Sequence, residues 1–121
     1  MKVEVLADTF TVCKVTDYRE IDLSLPYCFT GRTDKESSLV IPTARAPRDT
    51  LAREDGWRGF RLVGQLDFSL VGILARIAAL LAEAGISIFA VPTYDTDYVF
   101  LKKENFTAAL QLLAENGYTL C

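Results

Sequence analysis

Residues 59–100 read GFRLVGQLDFSLVGILARIAALLAEAGISIFAVPTYDTDYVF, and the succession of patterns inside them decides the fold. Gly59-Phe60-Arg61-Leu62-Val63-Gly64 has the composition of a strand. Asp67 or Ser69 can then cap a helix running to about Ala84, with Gly85 as the left-handed residue that ends it. Two more strand-like runs, 86–91 and 98–101, bracket the polar link Thr93-Tyr94-Asp95-Thr96-Asp97 and predict a hairpin. A turn needs Gly, Asn or Pro for backbone reasons. Two carboxylates and two threonine hydroxyls exceed that need, which marks the hairpin as a candidate site.

Downstream, Phe106, Ala109, Leu110 and Leu113 recur at i, i+3, i+4 and i+7, opposite Glu104, Thr107, Gln111 and Glu115. That amphipathic helix is stopped by Asn116-Gly117, and Tyr118-Thr119-Leu120 can return as a short strand. Strand, helix, strand, strand, helix, strand is the ferredoxin-like βαββαβ order, an α+β sandwich. The first helix carries Leu70, Val71, Ile73, Leu74, Ile77, Ala78, Leu81 and Ala82, leaving only Gly72, Arg76 and Glu83 as a polar stripe. A helix covered on one side needs an apolar stripe of about a third of its circumference. This one exceeds that and is expected to be buried on two sides, by its own sheet and by another element or subunit.

The first half is less regular. Residues 10–15, 26–30 and 38–41 look like strands, and the charged stretch between Ile41 and Trp57 reads as a short helix or a linker. Residues 33–41, TDKESSLVI, align without gaps on residues 93–101, TYDTDYVFL; in both, a threonine and an acidic residue precede a run of strand formers. This supports two related units.

Composition narrows the function classes. The 121 residues carry a net charge of −3 and 50% apolar residues, enough for a packed interior but with no basic patch for nucleic acid. There is no membrane-spanning run, no basic amphipathic helix and no signal-peptide core at the start, so a cytoplasmic protein is the default. Cys13, Cys28 and Cys121 are odd in number and widely spaced. They read as reduced thiols, Cys13 and Cys28 as small buried hydrophobes. The absence of histidine removes Ser-His-Asp and Cys-His catalysis and His-based zinc sites. No cofactor is called for.

Residues 66–106, above all LDFSLVGIL and TYDTDYVF, together with RTDKESSLVIP and the Gly56-Trp57-Arg58 turn upstream, resemble the small amino-acid-binding ACT-domain proteins of bacteria. These are similar to the ACT pairs of the CASTOR arginine sensors. The resemblance implies a complete ACT-like unit over residues 57–121, an incomplete one over 1–56, and a homodimer pairing sheets or helices. It also implies a small amino acid held at an interface between units. One wall would be Asp67, Phe68, Ser69, Leu70, Val71 and Gly72, and the facing hairpin would supply Thr93, Asp95, Thr96 and Asp97. Backbone N–H groups at a helix start suit a carboxylate, a carboxylate such as Asp97 suits an ammonium or guanidinium, and Gly72 would permit close approach. Pro92 and Val71 stand where the family commonly has hydroxyl residues.

Each signal has a plainer reading. Asp67 and Ser69 can simply cap a helix, Asp95 and Asp97 can be a solvated tip, Trp57 can be a core anchor or an interface residue, and Tyr94 can close a pocket or cover the hairpin. Alternation puts Asp95 and Asp97 on one face of an extended segment with Thr96 opposite; Asp97, beside Tyr98-Val99, is the favoured contact. Three functions follow in order: a non-enzymatic amino-acid-binding regulatory or sensor module; a protein-interaction or assembly module with a vestigial pocket; and a small metal-dependent enzyme using Asp95 and Asp97, for which two acids and a threonine are too few calcium ligands.

Overall fold

The computed structural model describes residues 1–63 and 72–121. The chain forms two compact units: Asp8–Trp57, and Met1–Ala7 together with Arg58–Cys121. The two units part between Trp57 and Arg58, inside one long strand, and the first seven residues group with the later one. That N-terminal segment pairs as a strand.

The helical unit holds β1 (Lys2–Val5), the second half of β5 (Ala52–Val63), α1 (Ile73–Glu83), β6 (Ile88–Pro92), β7 (Asp97–Lys102), α2 (Phe106–Glu115) and β8 (Thr119–Leu120). Its strands lie in the order β8-β1-β5-β7-β6. β1 runs antiparallel to β5 and parallel to β8, so it sits between the strands that a simple βαββαβ unit would place side by side. The predicted strand and helix order is otherwise present, and the fold is the α+β ferredoxin-like one.

Both helices pack on one sheet face. Val3, Phe60, Leu62, Val99 and Leu101 from the strands meet Ile77 and Leu81 of α1 and Phe106, Ala109 and Leu113 of α2 in one core. The helix C-termini explain two of the glycines. Gly85 at φ 76° and Gly117 at φ 91° close the same motif. Gly85 N–H donates to Ala82 O and Ile86 N–H to Leu81 O; Gly117 N–H donates to Ala114 O and Tyr118 N–H to Leu113 O. That is the Schellman pattern, in which the apolar residue after the glycine packs back on the last turn. A third glycine answers to packing instead. A Cβ on Gly59 would lie 2.8 Å from the Phe100 ring, so β5 and β7 meet here without room for a side chain.

The start of α1 differs from expectation. Its N-cap is Gly72 at φ 87°, with no side-chain cap bond. Asp67 and Ser69, the expected caps, lie outside the described residues. Burial of α1 is also one-sided within the chain. Ile77 and Leu81 are buried, Ile73, Leu74, Ala78 and Leu80 half-buried, and Ala75, Ala79 and Ala82 exposed. The second apolar side is made of alanines and carries no large side chain.

The strand unit contains β2 (Phe10–Val15), β3 (Phe29–Arg32), β4 (Ser37–Pro42) and the first half of β5, with no α-helix. The stretch before Trp57, expected as a helix or linker, is a 3-10 turn at Thr43–Arg45 followed by the start of β5. Cys13, Val15, Leu39 and Ile41 form the core. Burial raises the pKa of the Cys13 thiol and that of half-buried Cys28, in keeping with unreactive packing groups. Buried Thr11 is satisfied by Asp55 Oδ1 at 2.6 Å and Thr43 Oγ1 at 2.9 Å.

The repeat read from the sequence has a structural counterpart. Phe29↔Val40 and Arg32↔Ser37 in the β3–β4 hairpin match Phe89↔Phe100 and Pro92↔Asp97 in β6–β7. Each hairpin is followed by a 3-10 turn, Thr43–Arg45 or Lys103–Asn105. Only the second leads into a helix; after the first comes Ala46-Pro47, and Pro cannot continue the hydrogen-bonded ladder.

Candidate functional site

The tip of β6–β7 is built by its threonines. Thr93 N–H donates to Thr96 O at 2.8 Å, Thr93 Oγ1 donates to the same oxygen at 2.7 Å, and Thr96 N–H returns to Thr93 Oγ1 at 3.3 Å. Thr33 does the same work in the other hairpin: its N–H donates to Glu36 O at 2.9 Å and its Oγ1 accepts from Glu36 N–H at 3.2 Å. The Thr93 hydroxyl is therefore explained by turn chemistry. Thr96 Oγ1 donates to Leu62 O at 2.8 Å, tying the tip to β5. Tyr94 is 95% exposed.

Alternation along β5 sends Phe60 and Leu62 into the helix-packed core and Arg61 to the opposite face. There Arg61 stands across from Glu4 of β1, its Cα partner. Arg61 Nη2 donates to Glu4 Oε1 at 2.5 Å and Nη1 donates to the Tyr98 hydroxyl at 2.9 Å. The two charged side chains remain about a third exposed, 32% and 36%. The arginine pKa is raised, first by the bond with Tyr98, so the guanidinium stays charged throughout.

These groups share one open cleft of about 310 Å³ with Thr93, Asp95, Thr96, Leu62 and Val63. Among the described residues it thus holds one cation and two carboxylates. Asp95 is exposed at the rim and makes no ion pair among the described residues. Of two other clefts, one beside the start of α1 holds Arg76 but no carboxylate; one in the strand unit sets Arg19 among Asp17, Glu20 and Asp49, with three carboxylates to one guanidinium and an arginine side chain that is 88% exposed.

The sequence candidates separate accordingly. Thr93, Asp95 and Thr96 come together in the cleft. Asp97 does not line it: paired with Pro92 at the start of β7, it alternates with Thr96 and Tyr98, which do. The expected shared face of Asp95 and Asp97 fails because the four-residue tip is a turn, not an extended segment. Gly72 is absent from this lining, and no atom would come within 4 Å of a Cβ placed on it. Its positive φ of 87°, which L side chains rarely adopt, favours glycine here by itself. Asp67, Phe68, Ser69, Leu70 and Val71 lie outside the described residues. Glu4, Arg61 and Tyr98 are the additions. A lone arginine inside the apolar run Gly59–Val63 was the signal available for one of them. Among the described residues no acidic or cysteine cluster is arranged to hold a metal.

The family follows from a match over residues 52–115 to the model of the ACT domain, 64 of the chain's 121 residues. The chain belongs to the ACT domain family. No curated protein matches it. Among solved structures, an Agobacterium tumefaciens protein is similar to this ACT protein at 27% identity and TM-score 0.88, over 99% of this chain and 91% of that one. A Vibrio cholerae protein of unknown function, described as a possible transport protein, is similar at 29% identity and TM-score 0.74, over 94% and 88%. The ligand-free regulatory subunit of aspartate kinase from Thermus thermophilus has the same fold at 11% identity and TM-score 0.65, over 95% and 96%. No helix among the described residues is long and apolar enough to cross a membrane.

Proposed function

We propose that this ACT protein is a non-enzymatic regulatory or sensor module that binds a small amino acid in the Arg61 cleft. The observation that supports it is the meeting of a guanidinium and two carboxylates in one solvent-open cleft of about 310 Å³. A free amino acid is a zwitterion and needs a cation for its carboxylate and an anion for its ammonium, a few ångströms apart. Arg61 takes the first role and Glu4 and Asp95 the second. The ACT family match and the regulatory-subunit fold point the same way. Asp67, Phe68, Ser69, Leu70, Val71 and Gly72 stay in this proposal on the resemblance to the bacterial amino-acid-binding ACT proteins and the CASTOR pairs. Asp97 gives place to Asp95.

Binding stabilises the folded state by mass action, about 2.7 kcal/mol at a hundredfold excess over Kd. Thermal-shift measurements with the twenty L-amino acids, each at millimolar concentration, are expected to single out one or a few. A flat response across the panel, repeated by calorimetry, defeats the proposal.

The assembly reading keeps one supporting observation, the exposed Ala75-Ala79-Ala82 side of α1. A homodimer closed through this side accounts for an apolar helix that the chain covers on one side only. Ala79→Glu is then expected to give a folded monomer by light scattering; a variant that stays dimeric places the interface elsewhere.

A further inference from the structure

We propose that Glu4 is the residue that makes this cleft select amino acids over simple carboxylates, by acting as a displaceable stand-in on Arg61. The inference rests on the reading of the cleft given above and names its ligand class: a zwitterionic α-amino acid, recognised by both of its charges.

The geometry begins with register. Glu4 and Arg61 are directly opposed in the antiparallel β1–β5 pair, so the carboxylate is delivered to the guanidinium by the backbone ladder and not by a flexible loop. Opposed residues have Cβ atoms about 4.5–5.5 Å apart, which lets both side chains rise together from the sheet. Arg61 has five N–H donors in a planar fork, and Tyr98 and Glu4 account for one bond each. The Tyr98 bond fixes the fork from one side. Glu4 occupies a guanidinium edge where a ligand carboxylate would bind. With both side chains only about two-thirds covered, water and ligand can reach the pair.

An entering carboxylate that takes this edge sets Glu4 free. What happens next depends on the ligand. An α-amino acid brings its ammonium next to its carboxylate, within reach of the displaced Glu4, and the exchange conserves the number of ion pairs. A carboxylic acid of the same carbon skeleton without the ammonium leaves Glu4 without a cation beside a second carboxylate, and like charges at short range oppose binding. Specificity here is built from the unfavourable alternative as much as from the favourable contact. Asp95, exposed on the rim and without an ion pair among the described residues, adds to the same bias. Glu4 comes from the opposite end of the chain, so residues 57–121 alone would lack it.

The test compares full-length wild type, Glu4→Gln and Glu4→Asp by calorimetry. Probes are the L-amino acids, with propionate, 4-methylpentanoate, 3-phenylpropionate and glutarate as counterparts of alanine, leucine, phenylalanine and glutamate that lack the ammonium. Any other amino acid that binds is paired with its own counterpart. Wild type is expected to prefer the amino acid by about tenfold or more. Glu4→Gln should shrink that preference to within about threefold, and Glu4→Asp, which keeps the charge, should restore most of it. An unchanged preference in Glu4→Gln, or its loss in a folded Glu4→Asp as well, overturns the inference while leaving amino-acid binding in place. Failure of every amino acid to bind wild type overturns the reading of the cleft and this inference together.

Discussion

Leu81→Ala is expected to lower the unfolding free energy by about 2–5 kcal/mol and to drop the melting temperature by on the order of 10 °C. Leu81 is fully buried and lies where α1 meets the sheet, in the same core as Val3, Phe60, Val99 and Leu113. Its carbonyl also accepts the Ile86 N–H at 3.0 Å and the Ala84 N–H at 3.1 Å, so the side chain is anchored at the turn that ends the helix. A truncation there leaves a cavity in a core drawn from β1, β5, β7 and a second helix, and a site held from several elements relaxes little. The whole stability of a domain is about 5–15 kcal/mol, so the loss is a large part of it. Ala79→Glu, on the exposed side of the same helix, should cost little by comparison. Chemical denaturation of the two variants checks the contrast. A Leu81→Ala loss below about 1 kcal/mol would mean that α1 does not pack on this sheet as described.

The contrast bears on what the sequence could tell. Counting apolar residues placed Leu81 correctly on the helix and marked a second apolar side for another element or subunit. Within the chain that side is the exposed Ala75, Ala79 and Ala82, small residues whose count alone does not say what covers them. The glycines at 85 and 117 were legible because their requirement is local: a left-handed residue must follow the last turn. The hairpin at 93–96 was legible for the same reason, and its repeat at 33–36 is explained by threonines that build the same turn.

Long-range pairing was not legible. KVEV at residues 2–5 is a four-residue strand whose partners, β5 and β8, lie more than fifty residues away, and nothing local announces the register that sets Glu4 opposite Arg61. The expectation that Asp95 and Asp97 share one face failed at a finer scale. Strict alternation was carried through residues that form a turn, and one position of error moves a side chain to the other face of the sheet. Arg61 itself was within reach, being the single charge in a run whose alternate members, Phe60 and Leu62, are core residues.

Arg61→Met is expected to weaken binding of the responding amino acid by about tenfold to a hundredfold, the equivalent of about 1.5–3 kcal/mol for hydrogen bonds to a charged group. Methionine keeps much of the aliphatic length that packs along the strand while removing the fork that bonds Glu4 and Tyr98. Little of the effect should appear as lost stability. The Glu4–Arg61 pair is about a third exposed on both sides, and ion pairs open to water contribute about 0–1 kcal/mol. Arg61→Lys should fall between the two, since an ammonium retains the charge but not the planar, two-pronged geometry that matches a carboxylate. Stability and affinity are therefore expected to separate: a denaturation midpoint close to wild type, with calorimetric Kd displaced in the order arginine, lysine, methionine. If all three bind alike, the ligand carboxylate is held elsewhere and the guanidinium is a structural tie between β1, β5 and β7. If the midpoint falls together with the affinity, the loss belongs to the fold and not to recognition.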